Sequence, residues 1–215
     1  YNIVDQIFIG QGVGMLGNAA TNIAFPVTTI STAAALLLGI GGASNYNLEM
    51  GAGNERKASQ IAGSALTTLI VIGISITIGI LLFLHPLLIF FGATDNVMPY
   101  AIDYISIIAV GLPFFTLSDG GNHLIRADRS PTYSMMCTLI GAIINTILDP
   151  LFIFGFKWGI KGGAWATVIG QMISAFLVIL YFTKFRNMYL DHSMLKPQLK
   201  LLKAIVSLGL AACIN

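Results

Sequence analysis

Charge is what this sequence has least of. Of its 215 residues only 9% are Asp, Glu, Lys or Arg, while 56% are hydrophobic; an ordinary soluble domain carries about 25% charged residues. That deficit excludes a water-soluble globule. The charges present are clustered, with none between Asp5 and Glu49, Lys57 and Asp95, Asp103 and Asp119, or Lys161 and Lys184, and such gaps read as membrane spans. A net charge of +2, with no basic run interleaved with aromatics, excludes a nucleic-acid binder. Cysteine is equally scarce: Cys137 and Cys213 lie in apolar runs and read as small buried hydrophobes, so neither a disulfide nor a thiolate metal site is expected.

Charges and Gly, Pro and Asn clusters delimit spans of about 20 apolar residues. The first is a stub over 1–12, followed by 19–45, 58–84, 97–117 with an extension toward His123, 132–154 and 162–182, and a seventh begins near Leu202. The expected fold is an all-α, polytopic membrane helix bundle. A chain that opens on Tyr1 without a signal peptide is expected to be a piece of a longer protein. Residues 204–215 would cover only about 18 Å of a hydrocarbon core roughly 30 Å thick.

Lys and Arg of short loops are retained on the cytoplasmic side. The loops after spans two, four and six hold Arg56, Lys57, Arg126, Arg129, Lys184, Arg186, Lys196, Lys200 and Lys203, against Lys157 and Lys161 on the other side. Odd-numbered spans therefore run outward, and every polar residue acquires a depth. Asp5, near the outer end of span one, and Asp149, before Lys157, both fall roughly 10 to 12 Å below the outer surface. Thr167 and Tyr104 fall at the same level from spans six and four.

A carboxylate in mid-membrane costs roughly 2.5 to 3.5 kcal/mol on insertion scales and is a functional candidate by default. Asn145 and Asp149 stand four apart and share a helical face. Pro150 has no N–H for the carbonyl of Thr146, which leaves a free acceptor beside the carboxylate. Pro26 and Pro113 do the same to Asn22 and Ala109, without a neighbouring carboxylate, and read as kinks. Two desolvated carboxylates, if close, do not both ionise unless a cation joins them, so one proton or one Na⁺ neutralises the site. An organic cation or water entering favours the ionised form, and the two occupancies oppose each other through one charge balance. That is the minimum an antiporter requires.

Plainer readings apply elsewhere. Asn145 or Thr167 alone is helix-to-helix hydrogen-bond glue; their alignment with two Asp residues makes the ligand reading the better one. Asp103 reads as snorkelling to the lipid interface, and Asp119 and His123 as a solvated cytoplasmic rim. Gly10, Gly12 and Gly14 follow no strand and are no dinucleotide fingerprint; they, Gly39, Gly41 and Gly42, and Gly159, Gly162 and Gly163 read as packing and turns.

The run Asn145-Thr146-Ile147-Leu148-Asp149-Pro150-Leu151-Phe152-Ile153-Phe154, followed by Gly159-Ile160-Lys161-Gly162-Gly163-Ala164-Trp165-Ala166-Thr167, closely resembles the span five to span six signature of multidrug and toxic compound extrusion (MATE) transporters. Three further stretches resemble the same family: Val4-Asp5 with Phe8-Ile9-Gly10, Gly51-Ala52-Gly53-Asn54 with Ala58, and Arg126-Ala127-Asp128-Arg129-Ser130-Pro131. The likeness extends over essentially the whole chain.

It implies a twelve-helix exporter of two six-helix lobes, which expels organic cations and other toxic compounds in exchange for H⁺ or Na⁺ by alternating access and is not an enzyme. This chain would supply an amino-terminal lobe over 1–185 with a truncated helix one, an inter-lobe linker over 186–201, and the start of helix seven over 202–215. The family's helix-one carboxylate falls on Asp5, its helix-five Asn and Asp on Asn145 and Asp149, its helix-six Thr on Thr167, and a helix-four Tyr of some members on Tyr104. Na⁺, where it is the coupling ion, would sit at Asp5, Asn145, Asp149 and Thr167. No other cofactor is expected. The partners implied are the lipid bilayer of a bacterial inner membrane, the exported small molecules and the missing carboxy-terminal lobe, with no nucleic acid.

Two rivals fit the residues less well. A lipid-linked precursor flippase of the same superfamily wants a basic cavity, and no Arg or Lys lies inside these spans. An intramembrane aspartyl protease wants Gly-x-Gly-Asp, whereas Thr146-Ile147-Leu148 precede Asp149. A non-functional truncated piece of the exporter is compatible with the leading reading.

Overall fold

In the computed structural model, which describes residues 2–186, 188 and 190–214, the chain runs through eight α-helices. These are α1 (Asn2–Gly12), α2 (Met15–Gly51), α3 (Glu55–Leu82), α4 (Leu84–Phe90), α5 (Met98–Ala127), α6 (Pro131–Pro150), α7 (Ile160–Leu180) and α8 (Leu199–Ile214). Wide π-type turns continue α6 over Leu151–Gly155 and α7 over Tyr181–Phe185. No strand occurs among the described residues. Five helical segments, counting those extensions, are long and apolar enough to cross a membrane, and they coincide with spans two to six of the sequence reading.

The exterior is apolar. On α3, Ile70, Ile74, Ile78 and Leu82 recur every fourth residue and are all exposed, a stripe that belongs against acyl chains and not water. Hydroxyls within the spans mostly return a bond to their own helix: Ser31 donates to Val27 O, Thr68 to Ser64 O and Ser75 to Val71 O. That is how a polar side chain is satisfied where water is absent.

Helix α5 is the centre of the bundle and packs against α2, α3 and α7. It contributes to two apolar cores, one with Leu117, Leu124 and Ile125 toward its carboxy-terminal end and one with Ile105, Ile108 and Leu112 toward its amino-terminal end. Its internal Pro113 leaves the carbonyl of Ala109 without a helical donor, and Thr77 Oγ1 of α3 donates to that oxygen at 2.6 Å. Thr116 Oγ1, three residues on, reaches back to Leu69 O at 3.0 Å. The kink therefore carries the stitching between α3 and α5.

The structure corrects several expected boundaries. The apolar run after Lys57 breaks at Phe83, and the short α4 follows as a separate element. Helix α5 continues to Ala127, ten residues beyond Leu117. The fifth span is not one regular helix to Phe154: without an N–H at Pro150 the ladder re-forms as a π turn, with Leu151 N–H bonding Leu148 O and Phe156 N–H bonding Leu151 O. Helix α8 begins at Leu199. Asp103, expected at the lipid interface, is partly exposed and ion-paired with Lys161 Nζ at 3.2 Å, tying α5 to the start of α7. Cys137 is buried as expected, and the side chain of Cys213 lies outside the described residues.

In the turn after α5, Asp128 is 2% exposed and accepts hydrogen bonds from Tyr46 Oη at 3.1 Å and Tyr181 Oη at 2.7 Å. One loop carboxylate thus joins α2 to the end of α7. The segment before α8 lies across α3, where Thr67 Oγ1 donates to Leu195 O and Ser64 Oγ to Lys196 O. Helix α8 returns to α2 through Asn45 Nδ2 and Ala204 O at 3.1 Å.

Candidate ion-coupling site

Three helices bring four of the five expected residues together. Asp149 is fully buried, Asn145 is 2% exposed, Asp5 4% and Thr167 6%. The spacing of four puts Asn145 and Asp149 on the face of α6 that meets α7. That approach is close because both backbones lack side chains where they cross: a Cβ built on Gly141 would lie 2.9 Å from Gly170 O, and one on Gly170 2.8 Å from Gly141 O. Helix α1 approaches α7 by the same means, Ile9 resting where a Cβ on Gly163 would stand. Asp5, one turn earlier on α1, is thereby carried to Thr167.

The polar contacts form a chain. Asn145 Nδ2 donates to Thr167 Oγ1 at 3.4 Å, and Thr167 Oγ1 faces both Asp5 Oδ2 at 3.4 Å and Gly163 O at 3.0 Å. A hydroxyl owns one proton, so Thr167 serves one of these acceptors at a time. The carboxyls of Asp5 and Asp149 stand within hydrogen-bonding reach of each other, and two carboxyls hydrogen-bond only when one of them holds a proton. Asp5 Oδ1, Asn145 Oδ1 and both Asp149 oxygens receive no hydrogen bond from an N–H or hydroxyl of the protein. Buried oxygens in that number, with no donor supplied, suit a proton or a small hard cation.

Tyr104, the fifth expected residue, is half-buried on α5. It stands on the wall of a cleft of about 380 Å³ that also presents Thr28, Thr29, Thr32, Phe25 and Thr167. Thr167 is thus the side chain that belongs to both the carboxylate cluster and the cleft. Among the described residues no three His, Cys, Asp or Glu gather as a transition-metal site.

Sequence reasoning missed Gln171. Gln171 follows Thr167 by one turn, lines the cleft, and buries its Oε1 without a donor; the spacing of four in an uncharged span was the available signal. Asp119, expected on a solvated rim, is half-buried and lines a small, partly open cavity between α5, α6 and α7 together with Asn145 and Thr167. Helix α5 is longer than its apolar run, so Asp119 lies about 12 Å before its end at Ala127.

The MatE family model matches residues 1–151. The chain belongs to the MatE family. Among curated relatives it is 31% identical over 188 residues to the "FAD transporter" of Shewanella oneidensis, covering 84% of this chain and 41% of that protein. It is 27% identical over 214 residues to "Multidrug export protein MepA" of Staphylococcus haemolyticus, covering 99% of this chain and 47% of that protein. A solved structure described as the "Outward-facing conformation of a multidrug resistance MATE family transporter of the MOP superfamily" superposes with a TM-score of 0.90 at 27% identity. The match covers 100% of this chain and 48% of that one. The MatE chain thus spans about half the length of the relatives it matches and has the fold of one half of such a transporter. It is a multi-pass membrane protein of a transporter family, not an enzyme.

Proposed function

We propose that this lobe serves cation-coupled export of organic cations and other toxic compounds, working by alternating access against a second lobe across a bacterial inner membrane. Asp5 and Asp149 hold and release the coupling ion, H⁺ or Na⁺. Asn145 and Thr167 supply oxygen ligands, and Tyr104 offers a hydroxyl on the cleft wall. The observation that carries this reading is the meeting of two buried carboxylates with donor-free oxygens of Asn145 and Asp149 inside a membrane-spanning bundle. In so dry a site the pair cannot hold two negative charges alone, so ion occupancy is a condition of its charge balance.

Na⁺ fits the donor set, since hard oxygen ligands are what it requires and the six side-chain oxygens of these four residues include four with no donor. A proton fits as well, held between the two carboxyls. Thr167 connects either ion to cargo, because its hydroxyl touches Asp5 and forms part of the cleft wall. An ion that claims Asp5 releases that hydroxyl to Gly163 O.

The cleft bears on cargo class. A flavin dinucleotide, named for the Shewanella relative, carries an anionic pyrophosphate, and the residues lining this lobe's half of the cleft include no Lys or Arg. The same absence disfavours a lipid-linked precursor. Organic cations suit a threonine- and aromatic-lined wall better.

The test uses the complete transporter in proteoliposomes, with pH and Na⁺ gradients imposed separately. Asp149→Asn keeps the size of the side chain and removes its charge; gradient-driven efflux is expected to disappear under whichever gradient drives the wild type. Efflux at the wild-type rate would overturn the assignment.

A further inference from the structure

Between α5, α6 and α7 lies a second cavity, of about 60 Å³, whose polar lining includes Asp119, Asn122, Thr138, Asn145, Gln171 and Ser174. A water needs roughly 10–15 Å³ of such space, and a drug-sized ligand roughly 300–1,000 Å³. The cavity therefore takes a short file of waters or one small ion, and it is closed to cargo.

Its lining is rich in acceptors. Asn122 Nδ2 donates to Thr138 Oγ1 and Asn145 Nδ2 to Thr167 Oγ1, both at 3.4 Å, which engages one of the two N–H groups of each amide. The amide oxygens of Asn122, Asn145 and Gln171 are buried without a donor. Ser174 Oγ gives its proton to Cys137 O at 3.0 Å. With the carboxylate of Asp119 added, three helices present oxygen lone pairs to one small space, which selects water, hydronium or a metal cation over any anion.

The cavity also has the right extent. Counted from the cytoplasmic starts and ends of their helices, Thr138 and Asp119 lie about 10 and 12 Å deep, Asn145 about 21 Å and Asp149 about 27 Å. It spans the interval between Asp119 and the pair Asn145 and Thr167, whose hydroxyl reaches Asp5. Beyond Asp119, His123 and Arg126 follow at four and seven residues toward the cytoplasm on the same side of α5. Among the described residues, the walls from α6 and α7 carry no charged side chain.

We propose that this cavity is the cytoplasmic leg of the coupling ion's route, with Asp119 as the carboxylate that receives the ion from the Asp5 and Asp149 pair and passes it to the inner solution. The inference rests on the ion-coupling reading above. In protonic form, as an organic cation or water reaches the pair and favours its ionised form, the protonated carboxyl releases H⁺ to cavity water, that water protonates the Asp119 carboxylate, and neutral Asp119 loses its proton to cytoplasmic water past His123 and Arg126. One proton leaves the pair, and one reaches the inner solution. With Na⁺ the same oxygens replace water in the ion's shell at each stage.

The test again uses the complete transporter in proteoliposomes, with a pH-gradient arm and a Na⁺-gradient arm, and compares Asp119→Asn with Asp149→Asn. Asp119→Asn is expected to lose at least tenfold in transport on the arm that drives the wild type. It should keep gradient-free cargo exchange and cargo affinity within threefold, and Asp119→Glu should restore most of the driven rate. Driven transport within twofold of wild type in Asp119→Asn overturns the inference, and so does a loss that extends to cargo affinity or that Asp119→Glu does not repair, since those mark a structural role. If Asp149→Asn abolishes driven transport while Asp119→Asn leaves it intact, the inference alone fails. If Asp149→Asn transports like the wild type, the underlying reading fails with it.

Discussion

At the scale of single residues, Thr167 has the most demanding position. Its hydroxyl accepts from Asn145 and must divide one proton between Asp5 and the carbonyl of Gly163, so its bonding reports the ionic state of Asp5. A Thr167→Val change keeps the shape and removes the oxygen. Asn145 Nδ2 then loses its partner in a buried site, a penalty of about 1–3 kcal/mol, and Asp5 loses a donor. Coupling-ion affinity is expected to fall about 10- to 100-fold, while Thr167→Ser stays within a few-fold of wild type. Ion titration followed through the fluorescence of the nearby Trp165 checks this. Equal affinities for the Val and Ser variants would remove Thr167 from the ion's surroundings. Most of this cluster was legible in the sequence, because Asn145 and Asp149 share a helical face at a spacing of four and depth can be counted from the nearest charges. The second bond of Thr167, to Asp5 across 162 residues, depends on how α1 packs on α7 and has no local signature.

At the scale of elements, proline marks where helices exchange hydrogen bonds. Pro113 frees the carbonyl of Ala109, and Thr77 of α3 takes it at 2.6 Å. Replacing Thr77 by Val should cost about 1–2 kcal/mol as an orphaned carbonyl, read as a lower melting temperature in detergent. In a Pro113→Ala background residue 113 regains an N–H, Ala109 O is refilled from within α5, and the cost of Thr77→Val should shrink toward zero. That non-additivity is the mark of a direct coupling; strictly additive losses would mean that the two residues act separately. The sequence announced the free carbonyl but not the donor that fills it, since nothing in a run of apolar residues says which neighbour faces a kink. The same holds for Asp128. In the sequence it is a loop carboxylate beside two arginines, and only the fold closes Tyr46 and Tyr181 over it. Asp103 likewise acquires Lys161 from 58 residues away. Helix periodicity and charge gaps determine what spans; long-range pairs, such as those of Asp128 and Asp103, have no local signal in the sequence.

For the whole molecule, the distribution of basic residues and the position of the site bear on orientation. Nine of the eleven Lys and Arg lie on the side of the turn after α2, the α5–α6 turn and the segment before α8, and two, Lys157 and Lys161, lie opposite. The carboxylate pair sits toward the side of those two lysines, and Asp119 toward the basic side. If the basic side is cytoplasmic, an ion arriving from outside meets Asp5 and Asp149 first and Asp119 last, which is the order an inward-driven ion needs to power outward transport. The orientation can be read directly in the complete transporter with Cys137 and Cys213 replaced by Ala. In intact cells a membrane-impermeant thiol reagent should label Lys161→Cys, and it should label Arg56→Cys only after permeabilisation; both lie on exposed surface. The reverse pattern would invert the ion's path, leaving Asp119 as the outer carboxylate and the pair as the inner one. Inward ion flow would then meet the small acceptor-lined cavity before the cargo cleft, and the proposed order of binding could not stand.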